Sequence, residues 1–578
     1  MSPAGIVLQQ FQTMTPLRRF FLLVKPERRD IFQIYLYALF SGMIYLTLPL
    51  GIQAITSFIM TGQLSTSWSV LVVMVILGIV LSGIIQVFQL SLTESLQQKI
   101  FVRAAFEFAY RVIRFRKESL RGYYPPELMN RFFDVIQIQK GLSKILIDLS
   151  SSSLQIVFGL LLLSFYHPLF IALGFVLILV LYGIFKILSP RGLSTSLRES
   201  THKYAVVQWL QELARVNDTF KLAGRTDLPY ERMDTHVKQY VQSRKEHFRV
   251  LVWQYFTIIL FKTVITGGLL ILGSILVVNN QLNLGQFIAA EILIVMVMQS
   301  AEKLVVSLES VYDVITAVEK IGMVTDLEME SLEGVDFKTA EDPEGIQIEL
   351  RNLTYGYNAE EAAVLNDLNL TINAGEFVCI SGVHHAGKST LIQLMAGLFQ
   401  DFHGNVLYNG LPLRSIHLES LRCYISDSLS QEELFIGTVY ENICMGKTNI
   451  SERRVMEVAY AIGLGDFLKD LPEGIQTRIL PGGKKFPKSV VRKIILCRSL
   501  VDETRLLLLE DILLHVDPSE RDRLFALVFD KTRKRTVVVV SNDNRVAELC
   551  DRVVIMEKGR IIDQGPYSSL KKYNSIFG

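Results

Sequence analysis

The chemistry-bearing feature of this chain is a lysine and two hydroxyls at the end of a glycine-bounded loop. Residues Gly382-Val383-His384-His385-Ala386-Gly387-Lys388-Ser389-Thr390 fit the spacing G-x-x-x-x-G-K-[S/T]. The run Glu376 to Ser381 before them reads as a strand, and Leu391 to Met395 after them reads as a helix. In that setting the loop amides and the helix N-terminus attract anionic phosphates. Lys388 reaches the terminal phosphates and Ser389 ligates magnesium. The side chains of His384 and His385 crowd the same loop, and adjacent residues on one loop rarely share an ion, so no metal is expected on the histidine pair.

The elements that position this loop belong to a chain of 578 residues, half of them hydrophobic, a fifth charged, with a net charge of +2. That balance carries no nucleic-acid signal. The apolar residues concentrate before residue 320 and form six stretches near the ~20 residues a bilayer requires, at 32–58, 69–92, 147–166, 168–188, 252–278 and 285–307. The third and fourth meet in a tight hairpin at Tyr166-His167-Pro168, the fifth and sixth at residues 279–283.

Basic residues set the orientation. Arg18, Arg19, Lys25, Arg28 and Arg29 precede the first span, and the connections 99–146 and 189–250 are rich in lysine and arginine, whereas the three opposite loops have none. The positive-inside rule then places both termini in the cytoplasm of an inner, plasma membrane. Both long connections keep helical periodicity, as in Phe101-Val102-x-x-Ala105-Phe106-x-x-Ala109-Tyr110, so their helices are expected to project beyond the bilayer. Thr15 to Leu23 reads as a short amphipathic helix on the inner leaflet or as the plain start of the first span, and not as part of a cleaved signal. Lys262 and Glu291 are intramembrane charges: Lys262 is expected to snorkel to the inner interface, and Glu291 to face the central cavity or simply the bundle interior. All five cysteines lie in the C-terminal half without metal-ligand spacing, so they are expected to be reduced and mostly buried. An acidic stretch from Asp326 to Glu344 marks a linker, after which strand-like and helix-like segments alternate. The organisation expected is a segment 1–30, a six-span α-helical membrane domain 31–320, a linker 321–345 and an α/β P-loop domain 346–578.

Six helices with two long cytosolic excursions, followed by a P-loop domain, resemble a half-size exporter of the ABC transporter superfamily from about residue 15 onward. Pro49-Leu50-Gly51-Ile52-Gln53, Leu64-Ser65-Thr66 and Leu284 to Ala289 look most like the type I secretion branch, which exports polypeptides. Members of that branch often begin with a peptidase-like domain, for which this chain has no room. The resemblance implies ATP and magnesium as cofactors. It also implies a homodimer, or a heterodimer with another ABC half-transporter, in the lipid bilayer, with a periplasmic adaptor as a further partner. It places Tyr357 where the family stacks an aromatic ring on adenine, although a strand-end tyrosine looks the same. Leu434 to Ile443 and Asn217 to Leu222 match its coupling parts, and His385 stands where a glycine is usual.

Other positions keep the register and change the residue. The family's magnesium-contacting glutamine falls on Ser430, with Gln431 one place late. Its Leu-Ser-Gly-Gly-Gln signature, which serves the opposite subunit's γ-phosphate, is here Phe486-Pro487-Lys488-Ser489-Val490. Pro487 has neither hydroxyl nor amide hydrogen. The strand Leu506 to Leu509 ends in Glu510-Asp511, whereas the family has aspartate for the magnesium shell followed by glutamate to polarise water. Asp517, six residues after Asp511, stands at the family's inter-subunit aspartate and fixes the register. A base one methylene shorter retracts by roughly an ångström, which costs about 100-fold in rate. Asn542 replaces the histidine that faces the γ-phosphate, and it donates a hydrogen bond but carries no proton. These residues predict a subunit that binds ATP and hydrolyses it poorly, either exporting with a slow cycle or serving as a non-hydrolysing scaffold or gate.

Overall fold

In the computed structural model, which describes residues 15–62, 66–338, 344–357, 362–429, 433–483, 486–511, 516–573 and 576–577, the chain packs as two units. The first comprises Met1–Arg114 and Gly122–Leu327, the second Phe115–Arg121 and Glu328–Gly578.

The first unit is helical: α1 (Pro16–Val24), α2 (Arg28–Tyr45), α3 (Thr47–Met60), α4 (Thr66–Val112), α5 (Pro125–Met129), α6 (Phe133–Lys144), α7 (Ser150–Ser164), α8 (Pro168–Gly183), α9 (Ser189–Arg215), α10 (Asn217–Leu222), α11 (Leu228–Val278) and α12 (Leu284–Thr325). Joined end to end where they abut, they make six stretches long and apolar enough to cross a membrane. At 47 and 51 residues, α4 and α11 run about 70 and 77 Å, more than twice the ~30 Å hydrocarbon core. Val73, Met74, Phe88, Phe175 and Leu179 point their apolar side chains outward, as lipid-facing residues do. The first span is interrupted at Leu46, and Pro49 accounts for it. Its ring has no amide hydrogen for the carbonyl of Tyr45 four residues back and collides with it, so α2 ends at Tyr45.

The packing centre is α12, where Ala289, Leu293, Ala301, Ala317 and Val324 are fully buried. Neighbouring helices meet it through notches: a Cβ added at Gly141, Gly159 or Gly192 would lie 2.3–2.4 Å from Val314, Val297 or Tyr312. Between α11 and α12, Lys262 Nζ lies 2.9 Å from the Glu302 carboxylate, which also accepts from the Tyr255 hydroxyl at 3.1 Å. Lys262 thus has a bonded partner one helix away.

In the second unit the strands are β1 (Ile348–Tyr355), β2 (Leu365–Ile372), β3 (Phe377–Gly382), β4 (His403–Tyr408), β5 (Leu411–Pro412), β6 (Ile425–Ser428), β7 (Gly437–Thr438), β8 (Arg478–Ile479), β9 (Leu506–Glu510), β10 (Thr536–Val540), β11 (Arg552–Glu557) and β12 (Arg560–Gly565). A four-stranded sheet has the order β2-β1-β4-β5, and a six-stranded sheet the order β12-β11-β3-β10-β9-β6. In the larger sheet every pairing is parallel except that of β12. Both its faces are covered, which explains the unbroken runs Leu506 to Leu509 and Val537 to Val540. Alternate residues feed separate cores: Leu507, Val537 and Val539 enter one, Leu506, Leu508 and Val538 the other. Phe115–Arg121 is part of this unit's packing. Lys117 Nζ donates to Gln393 at 2.8 Å, Arg121 donates to the Tyr355 hydroxyl at 2.7 Å, and Glu118 accepts from the amides of Gln400 and Asp401.

The ion pair in the first unit yields a test. Glu302→Gln strands the Lys262 ammonium among apolar helices, and the thermal unfolding midpoint is expected to fall by an amount on the order of 1 kcal/mol. Adding Lys262→Met to the same chain recovers the loss. An unchanged midpoint in the single variant would show that the ammonium finds water instead.

Candidate functional site

Three parallel strands bring their last residues to one edge. β3 ends at Gly382, β9 at Glu510 and β10 at Val540. Beyond those ends opens a cavity of about 500 Å³, lined by Tyr357, Val364, residues 384–390, Glu510, Asp511, Val540, Ser541 and Asn542. The crevice outside the carboxyl ends of a parallel sheet is where such folds hold ligands.

The loop out of β3 turns on residues with unusual backbone angles. At Gly382, φ is +153° and a Cβ would lie 2.1 Å from the carbonyl oxygen of Met556 on β11. Gly387, with φ of +92°, caps the helix α13 (Lys388–Met395) in the left-handed region. His385 is also left-handed, with φ of +63°, a conformation that costs a non-glycine residue roughly 1–2 kcal/mol. Both histidines are exposed at the cavity.

From the first turn of α13, Lys388 Nζ curls back to the carbonyl oxygens of Gly382 at 2.7 Å and Val383 at 2.9 Å. Burial lowers its pKa, opposed by the charges of Asp511 and Glu510. The Ser389 hydroxyl donates to the buried Glu510 carboxylate. The Thr390 and Tyr357 hydroxyls are 2.9 Å apart, and the Tyr357 ring stands edge-on to Tyr355 and Phe399 with more than a third of its surface open.

The two acids at the end of β9 have different surroundings. Glu510 is still in the strand and meets Ser389, whereas Asp511 has left it with φ of +50°, its amide donating to the carbonyl of Val540 at 3.1 Å. Loss of surrounding water raises the Asp511 pKa, and the Glu510 charge adds to it; Lys388, Arg492 and His384 pull it back. Asn542 turns toward the start of the loop: its Oδ1 accepts from Ser381 Oγ at 2.8 Å and the Gly382 amide at 3.2 Å, and its Nδ2 donates to the Gly382 carbonyl at 3.1 Å.

These residues fit a magnesium nucleotide. Lys388 and the loop amides would hold the phosphates, Ser389 and Glu510 the metal, and Tyr357 a flat face for the base. The sequence-derived set from His384 to Thr390, with Tyr357, Glu510, Asp511 and Asn542, comes together around one cavity. Asp517 does not join it: it is exposed and precedes the helix Pro518–Val528. Nor do residues 486–490. Phe486 stands edge-on to Phe467 at 5.5 Å, and Pro487 occupies the N-cap position of the helix Lys488–Val501 without a side-chain cap bond. Ser430 and Gln431 lie outside the described residues. Sequence reasoning missed Val364 and Ser541 on the lining and Ser381 beneath it; Ser541 was signalled by its place between Val540 and Asn542.

The swapped acids make separable predictions. In nucleotide titrations with and without magnesium, Glu510→Gln and Ser389→Ala are expected to remove the metal's contribution, about ten-fold or more in affinity. Asp511→Asn is expected to keep it. Loss of the magnesium effect in Asp511→Asn alone would reverse the two roles.

Comparison with known proteins places both units. The family model of the ABC transporter transmembrane region matches residues 31–301, and that of the ABC transporter matches residues 365–512. A solved structure of a bacterial Atm1-family ABC exporter with ATP bound superposes with a TM-score of 0.84 over 95% of this chain and 97% of that one, at 16% identity. The ATP-dependent lipid A-core flippase of Desulfotalea psychrophila is 24% identical over 444 residues, 76% of each chain. Those of Syntrophus aciditrophicus and Saccharophagus degradans are 31% and 27% identical, over 39% and 46% of this chain. The match takes in less than half the length of these last two, 37% and 44%. With six candidate spans before a mixed α/β unit carrying the phosphate loop, the chain joins one ABC transporter transmembrane region to one ABC transporter nucleotide-binding domain, in the fold of an ABC exporter.

Proposed function

We propose that this chain is a transport subunit that binds ATP with magnesium and turns it over slowly, in a dimer that exports a peptide, a protein or another amphipathic substrate across the inner membrane. The observation that carries slow turnover is a phosphate loop that keeps Lys388 and Ser389 in the same chain as a helix whose N-cap is Pro487. Phosphoryl transfer relies on positioning and charge stabilisation. A helix start can supply amides, a hydroxyl and a positive end to a phosphate, but Pro487 offers neither hydroxyl nor amide hydrogen, and Lys488 and Ser489 bring side chains where glycines would admit close approach. By resemblance that segment completes a site on the partner subunit, so the chain impairs the site it completes, while Asp511 impairs the site it carries. Export of an amphipathic substrate is supported by the transmembrane region and by relatives named as lipid A-core flippases. A periplasmic adaptor and cytoplasmic termini follow from the type I secretion-like segments and the basic inner loops.

The second reading, a non-hydrolysing scaffold or nucleotide-responsive gate, draws on the same two impaired sites. Steady-state ATPase activity of the full chain in lipid nanodiscs, beside Lys388→Ala, separates the readings. The expected turnover is at least 100-fold below the ~10 per second typical of enzymes, yet above the control. Turnover near one per second that the control abolishes would restore an ordinary pump. Activity equal to the control would leave the scaffold or gate.

A further inference from the structure

Asn542 continues a β-ladder with its side chain. β10 and β3 are in parallel register at Val540 and Ile380, and the Ser541 amide donates to the Ile380 carbonyl at 3.1 Å. One residue further on, the Asn542 side-chain amide takes the place of the next rung and brackets both polar groups of the Gly382 peptide, with the Ser381 hydroxyl as a third partner. A carboxamide has one oxygen and two N–H donors. Here the oxygen accepts two bonds and one donor is used, all on the strand end that launches the loop. Among the described lining residues Lys388 is the sole side chain with a fixed positive charge, and Glu510 and Asp511 face it.

We infer that the nucleotide site is blind to the terminal phosphate: nucleoside diphosphate and triphosphate bind with similar affinity, because Asn542 is a positioning residue that clamps the loop and makes no phosphate contact. The inference rests on the proposal that this site binds nucleotide. The metal compensates the charge of either ligand, the loop amides serve the phosphates common to both, and Lys388 reaches the terminal phosphate of whichever is bound. The third phosphate thus gains no second fixed cation from the described lining, while adding negative charge beside two carboxylates.

Equilibrium binding of magnesium-ADP and of a magnesium-bound non-hydrolysable ATP analogue to the full chain in nanodiscs tests this. The wild-type dissociation constants are expected to agree within about three-fold, against the ten-fold or more that one charge-assisted hydrogen bond supplies. Asn542→Ala is expected to weaken both ligands equally and leave the ratio unchanged. Asn542→His is expected to create a preference of about ten-fold for the triphosphate, growing as pH falls through ~6.5 and the imidazole gains charge. A wild-type preference for the triphosphate that Asn542→Ala abolishes would overturn the inference and leave nucleotide binding standing. So would an Asn542→His variant as indifferent as the wild type. Binding of neither ligand would overturn both the inference and the reading beneath it.

Discussion

The nucleotide-binding unit is built around the peptide of Gly382. On one side it is in register with Met556 of β11, so close that no side chain fits. On the other it is bracketed by Asn542, and its carbonyl also receives the ammonium of Lys388. The positions of Lys388 and Ser389 are therefore set by the spacing of β11, β3 and β10. The Ser389–Glu510 contact extends that dependence to β9, on the far side of β10. A displacement of any one of these strands would disturb the phosphate and metal ligands together.

The residues that depart from the family pattern are well accommodated where they stand. Pro487 sits just before a helix, outside the ladder in which its missing amide would be costly, and its carbonyl accepts from Val491. Phe486 gains an aromatic neighbour and packs on one of the two cores. Asn542 gains three hydrogen bonds. Groups whose purpose is to meet a transient charge are commonly held at some cost to the resting fold. Among the described residues that depart from the family pattern, His385 and Asp511 carry such a cost in their left-handed backbones. Phe486, Pro487 and Asn542 are thus held by packing and hydrogen bonds of the resting fold, in keeping with the slow turnover proposed above.

What was legible in the sequence follows from the range of the forces involved. A bilayer demands about twenty apolar residues in a row, so the six spans are written locally. The phosphate loop is likewise a contiguous motif whose glycines, lysine and serine must keep fixed spacing. The interruption at Leu46 was also local, set by the four-residue reach from Pro49 back to Tyr45, but it lies inside a run that reads as one apolar span. The pairing of Lys262 with Glu302 depends on two helices lying side by side, and the clamp of Asn542 on Gly382 joins residues 160 apart in the chain. Register against the family located Asn542, and only its geometry revealed that the side chain turns to the backbone. Gln431, whose assignment hung on a one-residue slip, falls outside the described residues.

Phe115–Arg121 gives the second unit a discontinuous border. Seven residues encoded far upstream supply the hydrogen-bond partners of the Gln393 side chain and the Tyr355 hydroxyl, and cap the amides of Gln400 and Asp401. A fragment begun at Glu328 would hold every nucleotide ligand named above and still be missing a piece of its own wall. Lys117 and Arg121 reach, respectively, a side chain on the helix that carries Lys388 and the ring that abuts Tyr357. Limited proteolysis or an inserted tag between α4 and α5 would therefore register as a lesion of the ATP-binding half, although the cut falls among the membrane helices in the gene.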